Sequence, residues 1–236
     1  MTDFKSILAA IQWLDAWGVK SYAYYRKTIM SAVRTFYADQ ITGKDFLDIM
    51  SGLINGQMMR AWGDGMKDNG LLPSDMTDTW QRIVDGIAES ETSHLQEYAN
   101  DVLDARLDGA SIDPLLLRAE MWADRYNDVR NRARLETAPK VGPDGKPTMF
   151  EWKYNPLKEH CPTCKALDGL IASVDEWRQS QYHPYADWDG NLPNKMLGCN
   201  GWRCGCNLMP TDKARNIPEG ANIADVVKLR SLGAGK

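Results

Sequence analysis

The chain has 236 residues and a mass of 26.6 kDa, room for one large domain or two small ones with a real core. Charged residues make up 25% and hydrophobic residues 43%, which excludes disorder along the whole length. Lys and Arg number 28 against 32 Asp and Glu, a net charge of -4 that argues against nonspecific binding to polyanions.

No window approaches the roughly 18 consecutive apolar residues needed to span a bilayer, so no membrane association is expected. Asp3 precedes Lys5, and Gln12 and Asp15 interrupt the first apolar stretch, so the N-terminus does not read as a cleavable signal peptide. The chain is expected to stay in the cytoplasm where it is made.

From Asp3 to about Ala138 the pattern is helical, with about five helices. Phe4 to Trp17 carries Ile7, Leu8, Ile11, Leu14 and Trp17 at helical spacing, and Gly18 is a stop signal. An aromatic-rich segment follows from about Lys20 to Ala38. A third helix begins near Lys44, with Phe46, Ile49, Met50, Leu53 and Ile54 inward, and is expected to dissolve at Gly63-Asp64-Gly65. Gly52 and Gly56, four apart, permit a close helix crossing, though simple tolerance of glycine explains them equally well. Thr77 caps a long helix ending before Gly109, with Trp80, Val84, Ile87, Leu95, Tyr98 and Val102 as its stripe. Asp113-Pro114 opens the next, on which Leu115, Ala119, Trp122, Tyr126, Val129 and Ala133 step by four and three. Asp85, Glu89, Glu91, Glu97, Asp101 and Asp104 on the first of this pair, and Arg118, Arg125, Arg130, Arg132 and Arg134 on the second, read as outward charges. They are either two solvated faces or surfaces that orient a partner.

After Pro139 the texture changes. Val141 to Pro147 is turn chemistry, and Phe150, Trp152 and Tyr154 then alternate with polar or flexible residues as one face of a strand. A helical turn is expected near Val174 to Gln179, a loop from His183 to Asn194, and a short helix at Ile223 to Leu232 before a flexible end. From residue 213 onward five basic residues face two acidic ones. The expected organisation is a helical domain over 1–138, a hairpin with a cysteine module over 139–212, and a basic, partly flexible tail over 213–236. The fold class is α+β: a helix-rich N-terminal half followed by a small mixed lobe stapled by a zinc site.

All five cysteines, Cys161, Cys164, Cys199, Cys204 and Cys206, lie in one window. An odd number without a secretory signal points to metal rather than to a disulfide framework. Cys161-Pro162-Thr163-Cys164 is a two-thiolate knuckle, answered by Cys199-x4-Cys204-x-Cys206 after the 34-residue insert Lys165 to Gly198. The pattern predicts structural Zn2+ held by Cys161, Cys164, Cys199 and then Cys204 or Cys206, since neighbours in an extended C-x-C point to opposite faces. A disulfide from Cys199 to Cys204 or Cys206 is the alternative outside a reducing cell. His160 beside the knuckle, His94 on a helical stripe and His183 in a loop read as surface, core-edge and turn residues. A catalytic zinc leaves one position to water and keeps a base nearby, and this window offers thiols without H-E-x-x-H or H-x-E. No catalytic residue is expected.

Phe150-Glu151-Trp152, then Cys161-Pro162-Thr163-Cys164 with Leu167-Asp168-Gly169, and finally Cys199, Cys204 and Cys206 resemble the C-terminal module of the Mu F-like phage head morphogenesis proteins. In that family C-P-x-C and a Leu-Asp/Asn-Gly turn are answered by a His or Cys and a terminal C-R-C. This chain has Gly205 inside the final pair and its arginine one place earlier, at Arg203. The resemblance covers about a quarter of the chain. It implies a minor head protein of tailed bacteriophages: a non-enzymatic virion component of the capsid interior or neck, assembled in the host cytoplasm. Its implied partners are the portal protein and capsid or scaffold protein, with DNA contact by the basic tail left open. The competing readings are a zinc-ribbon nucleic-acid-binding protein and a zinc-dependent hydrolase or nuclease. Six basic residues against eight acidic between Met149 and Asp212 weaken the first, and the absence of a base weakens the second.

Overall fold

A computed structural model describes residues 22–155, 162–185, 194–197 and 204–233. The helix expected over Phe4 to Trp17 lies outside them. The architecture is α+β, as the sequence predicts: a run of helices, then a three-stranded antiparallel sheet with short helices around it. Two compact units are formed that do not follow chain order, Met1–Arg60 with Thr77–Tyr126, and Ala61–Met76 with Asn127–Lys236. Position 138/139, where the composition changes, falls inside the second.

In the first unit α1 spans Tyr22–Tyr37 and buries Tyr25, Ile29, Ala32, Val33 and Phe36 at helical steps. The next helix, α2, spans Gly43–Asp68. Its start is fixed by Thr42 and Asp45, each side chain accepting from the other's backbone N–H (3.2 Å in both directions). Phe46 stacks on Phe36 with ring centroids 4.4 Å apart, and Tyr98 meets Trp122 edge-on at 4.9 Å. Thr77 caps α3 (Asp78–Thr92) by accepting from Trp80 N–H. The single long helix expected to run on to Gly109 is two, because α4 (Leu95–Leu107) starts afresh after a turn at Ser93 and His94. There the Thr92 and Ser93 hydroxyls bond carbonyls of the preceding turn, which favours ending a helix over continuing it.

The following helix, α5, spans Asp113–Thr137. Its arginines correct the reading of their own face as solvated, whereas Asp85, Glu89, Glu97 and Asp104 are exposed as that reading expects. Arg125 is 5% exposed and donates from Nε to Glu91 Oε1 at 3.0 Å, and Glu91 is itself buried. Arg118 pairs with Asp101. Two pairs of opposite charges on these neighbouring helices therefore meet.

In the second unit α2 does not dissolve at Gly63 but runs to Asp68. Gly65 explains this: a Cβ there would lie 2.5 Å from both Ala133 Cβ and the Arg130 carbonyl. The close crossing is made at Gly65, whereas a Cβ at Gly52 would meet nothing and one at Gly56 only the Tyr25 ring at ordinary distance. Asp68 receives Arg130 through two bonds of 2.9 Å and Arg134 Nε at 2.5 Å.

Strand β1 (Met149–Lys153) is central, flanked by β2 (Ile171–Ser173) and β3 (Asn207–Thr211). Its Phe150 and Trp152 are fully buried, as the alternation predicts. Helix α7 (Val174–Ser180) is opened by a capping box between Ser173 and Glu176, and its Trp177 Nε1 donates to Phe150 O at 3.0 Å. Arg178 closes the C-terminus of α5 by donating to the carbonyls of Leu135, Glu136 and Ala138. The C-terminal helix α8 (Ile223–Gly233) sits where the sequence places it. It buries Ile223, Val226 and Val227 in the same core as the sheet, so this part of the tail is docked.

Candidate metal centre

Cys164 sits on a six-residue helix, α6 (Pro162–Leu167), which opens on proline, a residue suited to a first helical position. The helix is followed by the Leu167-Asp168-Gly169 turn, where Gly169 takes φ +69, a left-handed conformation that favours glycine. Gly169 N–H donates to Trp152 O at 2.9 Å, and Asp168 Oδ1 accepts from Tyr154 N–H, so the turn is tied to β1. From the other side Arg230 of α8 donates to the carbonyls of Ala166 and Asp168, both at 2.9 Å. A guanidinium at this end is also favoured by the helix dipole.

Cys204 and Cys206 precede β3, which begins only at Asn207. Where the sequence leaves a choice between the two, the fold brings both to Cys164: both are buried, and the sulfur atoms of Cys164, Cys204 and Cys206 all lie within 4.8 Å of one another. Sulfurs around a tetrahedral zinc, with bonds near 2.3 Å, stand about 3.8 Å apart. Three buried cysteines are thus close enough to bind a metal ion. Cys161, Cys199 and His160 lie outside the described residues.

Among the described residues this is the only cluster of three His, Cys, Asp or Glu side chains with that proximity. His94 occupies the exposed turn between α3 and α4. His183 stacks on Tyr185 with centroids 4.0 Å apart, and buried Asn194 donates to the carbonyls of Gln181, His183 and Tyr185, organising that loop.

Arg134, which bonds Asn207 beside Cys206, shares the Asp68 carboxylate with Arg130. Burial opposes ionisation of Asp68, but the hydrogen bonds and charges of Arg130 and Arg134 outweigh it and hold its carboxyl below the usual range. Burial in turn lowers the pKa of Arg134, against the pull of Asp68. Asn131, which nothing in the sequence marks, is fully buried and bonds the backbone at Cys206 and Leu208.

Compared with protein-family models, curated proteins and solved structures, the chain matches none. Fold and site together define an α+β protein with a buried cysteine cluster suited to a metal ion.

Proposed function

We propose that the protein is a minor head protein of a tailed bacteriophage, a structural component of the virion that joins the portal during head assembly and DNA packaging. The observation that carries this reading is the meeting of Cys164 with Cys204 and Cys206, the two ends of the motif that resembles the head morphogenesis module. The metal is structural Zn2+, with a fourth thiolate from Cys161 or Cys199. A site of buried thiolates suits a staple better than a catalyst, since a catalytic zinc keeps a position for water.

The nucleic-acid-binding reading gains little from the tail. Lys213 bonds Glu151, Arg215 bonds Glu176 and backbone carbonyls, and Arg230 caps α6, so three of its basic side chains are engaged within the lobe. In infected cells the protein is expected to co-purify with procapsids containing the portal. Its deletion should give defective heads with normal DNA replication, and Cys161→Ser/Cys164→Ser protein should fail to restore them. Fully infectious particles without the protein would refute the proposal.

A further inference from the structure

Cys206, the second of the two cysteines ahead of β3, has its backbone held by a side chain from another element. Asn131 of α5 donates from Nδ2 to Cys206 O and accepts at Oδ1 from Leu208 N–H, both at 3.1 Å. These two backbone groups straddle Asn207 on the edge of the sheet. A carboxamide that meets both stands where one residue of a parallel neighbouring strand would stand. Pro210, two residues on, has no N–H to offer at the next such position, so the edge is paired here or nowhere nearby.

The orientation of this amide is determined by its surroundings. Its oxygen faces two donors, Leu208 N–H and Arg134 Nη1, the latter at 3.0 Å. Turning it over would set its NH2 group against both. Arg134 is itself 2% exposed, spans to Asn207 Oδ1 at 3.3 Å, and is anchored by Asp68 at the end of α2. A chain of bonds thus runs from half-buried Asp68 through the buried Arg134 and Asn131 to the backbone of Cys206.

We infer that Asn131 is a positioning residue of the metal centre: by fixing the backbone on both sides of Asn207 it sets the direction of the Cys206 thiol, so metal affinity and coordination geometry depend on it. The inference rests on the reading of the cysteine cluster as a metal site. Groups that orient metal ligands from outside typically change affinity 10–100-fold when removed, roughly the range expected here.

The test uses the full chain with Co2+ as a spectroscopic probe and Zn2+ in competition with a chromophoric chelator. Asn131→Asp keeps the acceptor for Leu208 and Arg134, whose charge balances the new carboxylate. It loses the donation to Cys206 O and sets two oxygens against each other. Trp177→Phe is the control, since it removes a buried hydrogen bond of the same lobe outside the Cys204–Leu208 segment. Asn131→Asp should bind Zn2+ about 10–100-fold more weakly and shift the tetrahedral thiolate–cobalt bands. Trp177→Phe should lose thermal stability yet keep both affinity and spectrum. Wild-type affinity and spectrum in Asn131→Asp, or an equal loss of affinity in Trp177→Phe, would overturn the inference and leave the metal site standing. If Asn131→Asp does not fold, Asn131→Ser, which brings no charge, is held to the same criteria. Wild-type protein without thiolate–cobalt absorption would overturn the metal site and the inference together.

Discussion

Gly63 and Gly65 lie two residues apart in one helix, and replacing each with alanine should give clearly different stabilities. Alanine gains about 1 kcal/mol over glycine in a helix interior, a term common to both substitutions. At Gly63 nothing lies within 4 Å of the added Cβ, so Gly63→Ala should realise that gain. At Gly65 the Cβ would stand 2.5 Å from Ala133 Cβ and from the Arg130 carbonyl, whereas comfortable carbon contacts begin near 3.5 Å. Neither neighbour is the far end of a flexible side chain, so α2 and α5 must part by about 1 Å, an overpacking that costs about 1–3 kcal/mol. Because the helix-propensity term cancels, the difference between the variants measures the crossing alone. For a chain of this length each kcal/mol shifts the melting temperature by about 2–4 °C. Thermal unfolding followed by circular dichroism should place Gly65→Ala below Gly63→Ala by that packing term. Equal midpoints would refute the argument that Gly65 is required by helix contact.

Breaking the buried Glu91–Arg125 pair with Arg125→Glu should cost about 3–5 kcal/mol in urea unfolding, because two carboxylates are then left buried together. Glu91→Gln should cost less, since burial already raises the Glu91 pKa despite Arg125 and so disfavours its charged form. Asp68 has a lowered folded pKa, so its contribution is complete above the unfolded value near 4 and is lost as pH falls through the folded one. The stability gap between wild type and Asp68→Asn, measured from pH 7 downward, should therefore be widest at neutral pH and close under acid; a constant gap would contradict the pairing with Arg130 and Arg134. Removing the metal should raise hydrogen exchange in the last turns of α5 as well as in the cysteine lobe, because Asn131 and Arg134 tie them to β3. Exchange confined to residues beyond 148 would argue that this tie is weak.

Much of the helical framework is legible in the sequence because its signals are local. Thr77 caps where a threonine before an apolar stripe should, and the Phe150–Trp152 face is buried as alternation requires. What is not legible depends on partners distant along the chain. Gly65 reads as a helix breaker until Ala133 is brought against it. The arginines of α5 read as a solvated stripe, yet Arg125 and Arg134 find Glu91 and Asp68, which are 34 and 66 residues away. The break at Ser93 is masked because apolar spacing continues across it from Ile87 to Leu95. The cysteine spacing predicts that the two ends of the window meet, and three of the five sulfurs do so. That both Cys204 and Cys206 come close to Cys164 depends on packing between distant segments, with Asn131 holding the backbone at Cys206, and this leaves no periodic trace.

The central claim is that the ends of the cysteine window close on one metal ion. Metal analysis of the purified full chain, with native mass spectrometry of Cys164→Ser, Cys204→Ser and Cys206→Ser, tests it most directly. The account predicts about one zinc per wild-type chain and its loss or marked weakening in each of the three variants, since all three sulfurs face one another. A wild-type chain without metal, or full zinc retention in any one of these variants, would contradict it.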